Sequence, residues 1–197
     1  MKVFRIENTI FNSNTYILSE ENEDYCWLVD VGDIEPILDL VGKRQIKGVF
    51  LTHTHYDHIY GINNLVEYFP DCVIYTSQQG KEGLLSDKLN LSRYHDDSII
   101  FQGKHIEVLN EGDEVKLFSN LGLKAIYTPG HDWSCMSYYT DDCIFTGDSY
   151  IPNIKVVTSF PKSNKRDALI SLNRLVELCK TRDIYPGHHV IHNLDEH

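Results

Sequence analysis

Gly48-Val49-Phe50-Leu51 is a short apolar run that leads straight into Thr52-His53-Thr54-His55-Tyr56-Asp57-His58. Three imidazoles and a carboxylate packed behind an apolar strand are costly to bury unpaired. Gathered around a cation they are satisfied. His53 and His55 are two apart, so in extended backbone they point the same way. Asp57 and His58 follow where the chain bends toward a helix. One segment can therefore offer two ligands to each of two neighbouring ions.

Three further segments repeat this design. Leu123–Tyr127 runs into Thr128-Pro129-Gly130-His131, Cys143–Phe145 into Thr146-Gly147-Asp148, and Ile184-Tyr185 into Pro186-Gly187-His188. Each is a short strand, a tight turn and then a His or Asp. Strand ends in a layered sheet lie side by side, so the four turns can converge. The converging set is His53, His55, Asp57, His58, His131, Asp148 and His188. That is enough for two divalent metal ions sharing one ligand. Imidazole and carboxylate suit zinc first, with iron and manganese as alternatives. Asp30 also ends a strand and reads equally as a group that orients a ligand histidine or as a turn residue. His95, His105, His192 and His197 lack such context and are expected at the surface. His189 is expected not to be a ligand.

The remaining chain reads as alternating strands and helices. Val3–Ile6, Thr15–Leu18, Cys26–Val29, Val49–Leu51 and Val73–Thr76 are expected strands in the first half. Ile99–Phe101, Ile106–Leu109, Val115–Phe118, Leu123–Tyr127, Met136–Tyr139, Cys143–Phe145 and Asp183–Tyr185 are expected in the second. Ile34–Val41 is an expected helix. Ile59, Ile62, Leu65, Val66 and Phe69 recur at helical spacing. Gln78 to Asp97 is expected to hold a helix and a loop. Between Lys165 and Lys180, Ala168, Leu169, Leu172, Leu175, Val176 and Cys179 form one apolar stripe, with Ser163 or Asn164 as cap. Two sheets with helices outside are the expected architecture, in a single domain spanning 1–197. No GxGxxG or P-loop is present.

Composition narrows the partners. The 197 residues carry 18 basic and 29 acidic side chains, a net charge of −11. Such a chain repels phosphate backbones, which disfavours nucleic acid and anionic membrane and favours a small-molecule substrate. No apolar run approaches the ~18 residues of a membrane span. The first fifteen residues lack the basic-then-apolar pattern of a secretory signal. The five cysteines (Cys26, Cys72, Cys135, Cys143 and Cys179) are scattered without a CxxC, which fits a reducing, cytoplasmic location. The sequence leaves the oligomeric state open.

These residues resemble the metallo-β-lactamase superfamily, and within it the small glyoxalase II-like (hydroxyacylglutathione hydrolase-like) hydrolases. The resemblance runs from the opening strands through Asp30 to His188. It implies a four-layer αββα sandwich with metals at one edge of the sheets. It implies that His53, His55 and His131 hold one metal, that Asp57, His58 and His188 hold a second, and that Asp148 bridges them. The departures are equally specific. Asp132-Trp133-Ser134 follows His131, where many relatives have Thr-x-Gly or Ser-x-Gly. Ser149-Tyr150-Ile151-Pro152 follows Asp148 in place of Gly-Arg-Thr. Relatives that act on glutathione thioesters carry a helical region beyond the last histidine, and here nine residues follow His188. Asp148 stands where several β-lactamases have cysteine or serine.

The expected chemistry is hydrolysis of a small ester- or thioester-like substrate. Water held between two cations would lose a proton near neutral pH and attack the substrate carbon. Asp57 is the expected catalytic residue, orienting that nucleophile and shuttling its proton. The motifs show no general acid for the leaving group, which favours a thiolate. Tyr56 and Tyr150 read as packing aromatics or as hydrogen-bond donors near the metals. Lys162, Lys165 and Arg166 read as a solvated helix start or as a site for a substrate anion. Two other branches of the superfamily compete: an iron-dependent sulfur dioxygenase, and an RNA-processing nuclease, which the net charge opposes.

Overall fold

The protein is described here from a computed structural model covering residues 1–189; His192 and His197 lie outside the described residues. Two sheets face one another. The first has the order β1 (Lys2–Glu7), β2 (Asn14–Ser19), β3 (Tyr25–Val29), β4 (Gln45–Phe50), β5 (Val73–Thr76) and β6 (Ile106–Val108). Its first three strands are antiparallel, and from β3 onward neighbours run parallel. The second has β7 (Glu114–Phe118), β8 (Leu121–Tyr127), β9 (Met136–Tyr139), β10 (Cys143–Gly147) and β11 (Asp183–Pro186) side by side in that order. There β10 and β11 are parallel and the other pairs antiparallel.

The alternation of side chains along each strand explains the layering. Leu18, Trp27, Val29 and Phe50 point inward and pack with Leu117, Phe118, Leu123, Tyr138 and Phe145 between the sheets. Their neighbours Ile17, Cys26, Leu28, Val49 and Leu51 point the other way. These pack against α1 (Ile34–Val41) and α3 (Ile62–Tyr68) through Ile34, Ile37, Ile62 and Leu65. The strands are covered on both faces, and β2 is buried along its whole length, its polar residues Asn14, Thr15 and Ser19 included. Helix α4 (Gln78–Leu84) lies by β5 and β6, and the fifteen-residue helix α5 (Lys165–Cys179) lies over the second sheet near β10. Helices thus cover the outside of both sheets in an αββα arrangement.

The structure corrects three expectations and decides between the two candidate caps of α5. The helix expected through Ile59–Phe69 is two helices, α2 (Tyr56–Ile59) and α3, broken at Gly61. A Cβ on Gly61 would lie 2.0 Å from the Gly32 carbonyl oxygen, so the chain turns where two backbones touch. Ile99–Phe101 is no strand. Its backbone is satisfied instead by the Asn90, Ser92 and Asn63 side chains and by the Leu84 carbonyl, while Ile99 and Phe101 stay buried. Leu169 and Val176 are exposed on α5. The covered stripe is Ala168 and Leu175, both buried, with Leu172 and Cys179 half-buried, at steps of four and three, and Leu169 and Val176 sit one residue beyond it. Asn164 caps α5, accepting from the Arg166 and Asp167 amides, and Ser163 instead donates to the His131 carbonyl.

Candidate metal centre

Because β8 and β10 are each antiparallel to β9, and β11 is parallel to β10, the C-terminal ends of β8, β10 and β11 share one edge. The end of β4 meets them across the sandwich. Met136 N donates to the Thr52 carbonyl at 2.7 Å, and Tyr138 OH to the Leu51 carbonyl at 2.8 Å. Gly147, at φ +51°, packs so tightly on Thr52 that a Cβ would fall 2.6 Å from its side chain. Ser171 in α5 donates to the Pro129 carbonyl, fixing the turn that carries His131. The four turns therefore converge, as their sequences predict.

Three groups of side chains offer ligand atoms within 4.8 Å of one another: His53, His55 and His131; His53, His58 and Asp148; and Asp57, His58 and His188. Asp148 lies between the outer two. Its Oδ2 is 3.5 Å from His131 Nε2 and 3.4 Å from His188 Nε2, and its Oδ1 is 3.6 Å from His58 Nε2. His55 Nδ1 is 3.0 Å from His131 Nε2. Asp57 Oδ2 is 3.2 Å from His188 Nε2 and 3.4 Å from His58 Nε2. A carboxylate with arms toward two imidazole groups is placed to serve both.

The outward nitrogens complete the picture. His58 Nδ1–H donates to Asp30 Oδ2 at 2.8 Å, His131 Nδ1–H to the Val157 carbonyl at 2.9 Å and His188 Nδ1–H to the Phe11 carbonyl at 3.1 Å. His53 Nδ1 is 3.1 Å from Thr52 Oγ1, which spends its own proton on Asp30 and so accepts from the ring. His55 Nε2 faces Asp132 Oδ2 at 3.5 Å. Every ring has its outer nitrogen turned to an oxygen, which leaves its inner lone pair free for a cation. His55 Nε2, on the outside, has only the Asp132 carboxylate at 3.5 Å, and His53 Nε2 and Asp148 Oδ1, inside the cluster, are buried with no hydrogen-bond partner. Such orphans are expensive in an apolar edge and are satisfied by a metal. The residues fit two divalent ions.

Charge is distributed accordingly. Burial drives His53 well below the ordinary histidine range, and the neighbouring His58 and His55 add to it. Burial also pulls on His58, but Asp57, Asp30 and Asp148 outweigh it and hold that ring up at about 9. Burial likewise opposes His188, which Asp148 and Asp57 hold up at about 11. Against its burial, Asp148 is held well below the carboxylate range by His188, His58 and His53. Asp57 is lowered, too, by His58 and His188.

A cavity of about 220 Å³ opens onto these groups. Its walls include Phe11, Leu91, Val157 and Phe160, and also Tyr56 and His95. His95 is the main surprise: expected at the surface, it faces the same cavity as Asp57, Asp148 and His188. It follows a buried Ser92 in a loop with no strand–turn–histidine pattern, so no local signal marks it. Asp132 is the other residue the motifs missed. Tyr56 is buried, packs into the core and also lines the cavity. Tyr150 engages through its backbone, whose carbonyl accepts from Thr146 Oγ1. Lys162 lies 4.1 Å over the Trp133 ring, beside a smaller cleft that also meets Lys88 and His55, while Lys165 and Arg166 are exposed. His105 is exposed as expected.

Facing sheets flanked by helices, with a candidate dinuclear His/Asp site where strand ends meet, support a metal-dependent hydrolase. The metallo-beta-lactamase superfamily pattern matches residues 8–188, and the chain belongs to that superfamily. A "probable metallo-hydrolase" of Streptococcus pyogenes is 29% identical over 95% of this chain and 84% of its own length. A hydroxyacylglutathione hydrolase of Aeromonas hydrophila is 31% identical over 71% of this chain, which spans only 47% of that protein. Among solved structures, the BLEG-1 B3 metallo-beta-lactamase superposes with a TM-score of 0.84 at 22% identity, covering 96% of this chain and 92% of the other. TTHA1623, in a di-iron-bound form, superposes with a TM-score of 0.80 at 23% identity, covering 95% and 92%. Likeness at that identity speaks to the fold.

Proposed function

We propose that the protein is a dinuclear metal-dependent hydrolase of a small ester- or thioester-like substrate. His53, His55 and His131 hold one ion, Asp57, His58 and His188 the other, and Asp148 both. The observation that carries this reading is the orientation of the five imidazoles, each with its outer nitrogen turned to an oxygen while the rings cluster with Asp57 and Asp148 in overlapping ligand groups. Zinc is the proposed metal, because it accepts imidazole and carboxylate in irregular geometry. The hydroxyacylglutathione hydrolase relative supports acyl-transfer chemistry to water. Free thiols at all five cysteines, four of them buried, support a reducing, cytoplasmic setting.

When bound, the two ions supply a water acidic enough to ionise near neutral pH and a positive field for the substrate carbonyl. The chain does the rest. Asp57 lines the cavity and takes the proton of the attacking water. Asp30 and Thr52 hold His58 and His53 in the tautomers that leave Nε2 unprotonated. Phe11, Leu91, Val157 and Phe160 wall the cavity with apolar surface, which strengthens every charge interaction inside it. A volume near 220 Å³ suits a small acyl group.

The test is elemental analysis of protein purified without added metal, paired with a panel of oxygen esters and thioesters. Zinc with turnover of one of these classes is the expected result. Iron with oxygen uptake and no hydrolysis would contradict it.

A further inference from the structure

His95 belongs to none of the three ligand groups, yet it lines the cavity into which Asp57, Asp148 and His188 open. Its ring lies flat on Tyr56, with centroids 4.3 Å apart and planes 7° from parallel, and Phe11 meets its edge at 5.5 Å. The ring is only half-buried, so this packing fixes its plane and leaves its perimeter open to the cavity.

The loop that carries it is tied down by its own polar groups. The buried Asn90 side chain donates to the Gly83 and Ile99 carbonyls and accepts from the Ser92 amide. Asp87 accepts from Arg93 and from Ser98. The His95 amide closes the turn onto the Ser92 carbonyl at 2.9 Å. Leu91, at φ +66°, takes a backbone conformation that a non-glycine residue holds only when its surroundings over-determine it. A loop fixed in this way delivers Leu91 and His95 to one wall of the cavity.

We propose that His95 is the proton donor to the leaving group, and that the cavity is built for oxygen esters ahead of thioesters. This rests on the hydrolase reading above. Water adds its hydroxide to the carbonyl carbon, and its other proton passes to the Asp57 carboxylate. The bond from carbon to the departing oxygen breaks, and its electron pair stays on that oxygen. His95 gives that oxygen a proton and is replenished from Asp57 through solvent. One water is consumed, and an acid and an alcohol are formed. An alkoxide is a poor leaving group without that proton, whereas a thiolate or a nitrophenolate departs unaided. A positioned acid contributes about 10²–10⁴-fold where it is needed.

The test compares three substrates with one acyl group: an alkyl ester, its thioester and its p-nitrophenyl ester. Wild type, His95→Gln and His95→Phe are measured as metal-loaded enzymes, with metal content and melting temperature taken on the same preparations. Phe keeps a flat ring on Tyr56 and removes the acid. Both variants should keep their metal and their melting temperature. On the alkyl ester both should lose about 100-fold or more in kcat/KM, and on the other two less than about fivefold. Equal losses on all three substrates, or full alkyl-ester activity in His95→Phe, would overturn the assignment while leaving the hydrolase reading intact. Wild type that turns over none of the three would overturn the hydrolase reading and this role with it.

Discussion

Asp30 and His58 are joined through Oδ2 and Nδ1 at 2.8 Å, with both residues buried, and Thr52 binds the same carboxylate through its amide and hydroxyl at 2.7 Å each. One carboxylate at the end of β3 thereby fixes the ring orientation of His58 directly and that of His53 through Thr52. Asp30 itself sits at φ +56°. Of its two readings in the sequence, the orienting group is the one the structure supports.

Asp30→Asn keeps the shape and tolerates the positive φ, but it presents one acceptor oxygen to three donors. We expect metal affinity at the His58 site to fall about 10–100-fold, with a stability loss of about 1–3 kcal/mol. Competitive chelator titration and denaturant melts check both. Unchanged metal affinity would contradict the orienting role.

Gly187 precedes His188, and a Cβ there would lie 2.0 Å from Asp148 Oδ1. Gly187→Ala should displace the shared carboxylate and reduce bound metal below the wild-type level, although alanine is otherwise the mildest of changes. Elemental analysis reads the result directly. A fully loaded variant would show that Asp148 need not stand where it does.

Asp57→Ala should harm turnover more than folding. The buried Ser13 hydroxyl donates to the Asp57 carbonyl, not its carboxylate, at 2.7 Å, so that tie between the residue before β2 and α2 survives the change. We expect rates to fall about 10²-fold or more, with a small change in melting temperature. Activity within about threefold of wild type, under ~1 kcal/mol of barrier, would contradict the role.

Stability should depend on pH in the metal-free protein prepared by chelation. His58 and His188 stand at about 9 and about 11 in the folded chain, above the ordinary histidine value of 6.5. They bind protons more tightly folded than unfolded, so their stabilisation is complete below that ordinary value. It is lost as pH rises through 9 and then 11. His53 is shifted the other way and acts only on the acid side of 6.5. The melting temperature of the metal-free protein should therefore fall from pH 7 to pH 10. Loading the metals at pH 8 in weak buffer should release protons, about two for the ion that takes His58 and His188. A flat melting profile with no acid release would contradict these charge states.

The site was legible because its chemistry is written at strand ends. His53, His131, Asp148 and His188 each follow an apolar strand and a turn, and that pattern survives folding as a shared edge. His95 was not legible, because a long irregular loop brings it in and its neighbours Tyr56 and Phe11 are far away in sequence. Asp132 sits beside a recognised histidine, but only the folded turn shows its carboxylate facing His55. Ile99–Phe101 misled for a related reason. Two buried apolar residues flanking an exposed Ile100 look like a strand, yet the segment's backbone partners are the side chains of Asn63, Asn90 and Ser92 and the Leu84 carbonyl. Periodicity could not see them. The apolar stripe of α5 is narrower in the structure than its hydrophobic residues suggest, since Leu169 and Val176 stand on the solvent side.

The central claim is that one chain holds two ions through a shared Asp148. Elemental analysis of wild type and Asp148→Ala, purified side by side without added metal and then dialysed against limiting zinc, tests it most directly. Wild type should carry two divalent ions per chain, and Asp148→Ala should lose most of both. A wild type that saturates at one ion, or an Asp148→Ala protein that keeps two, would contradict it.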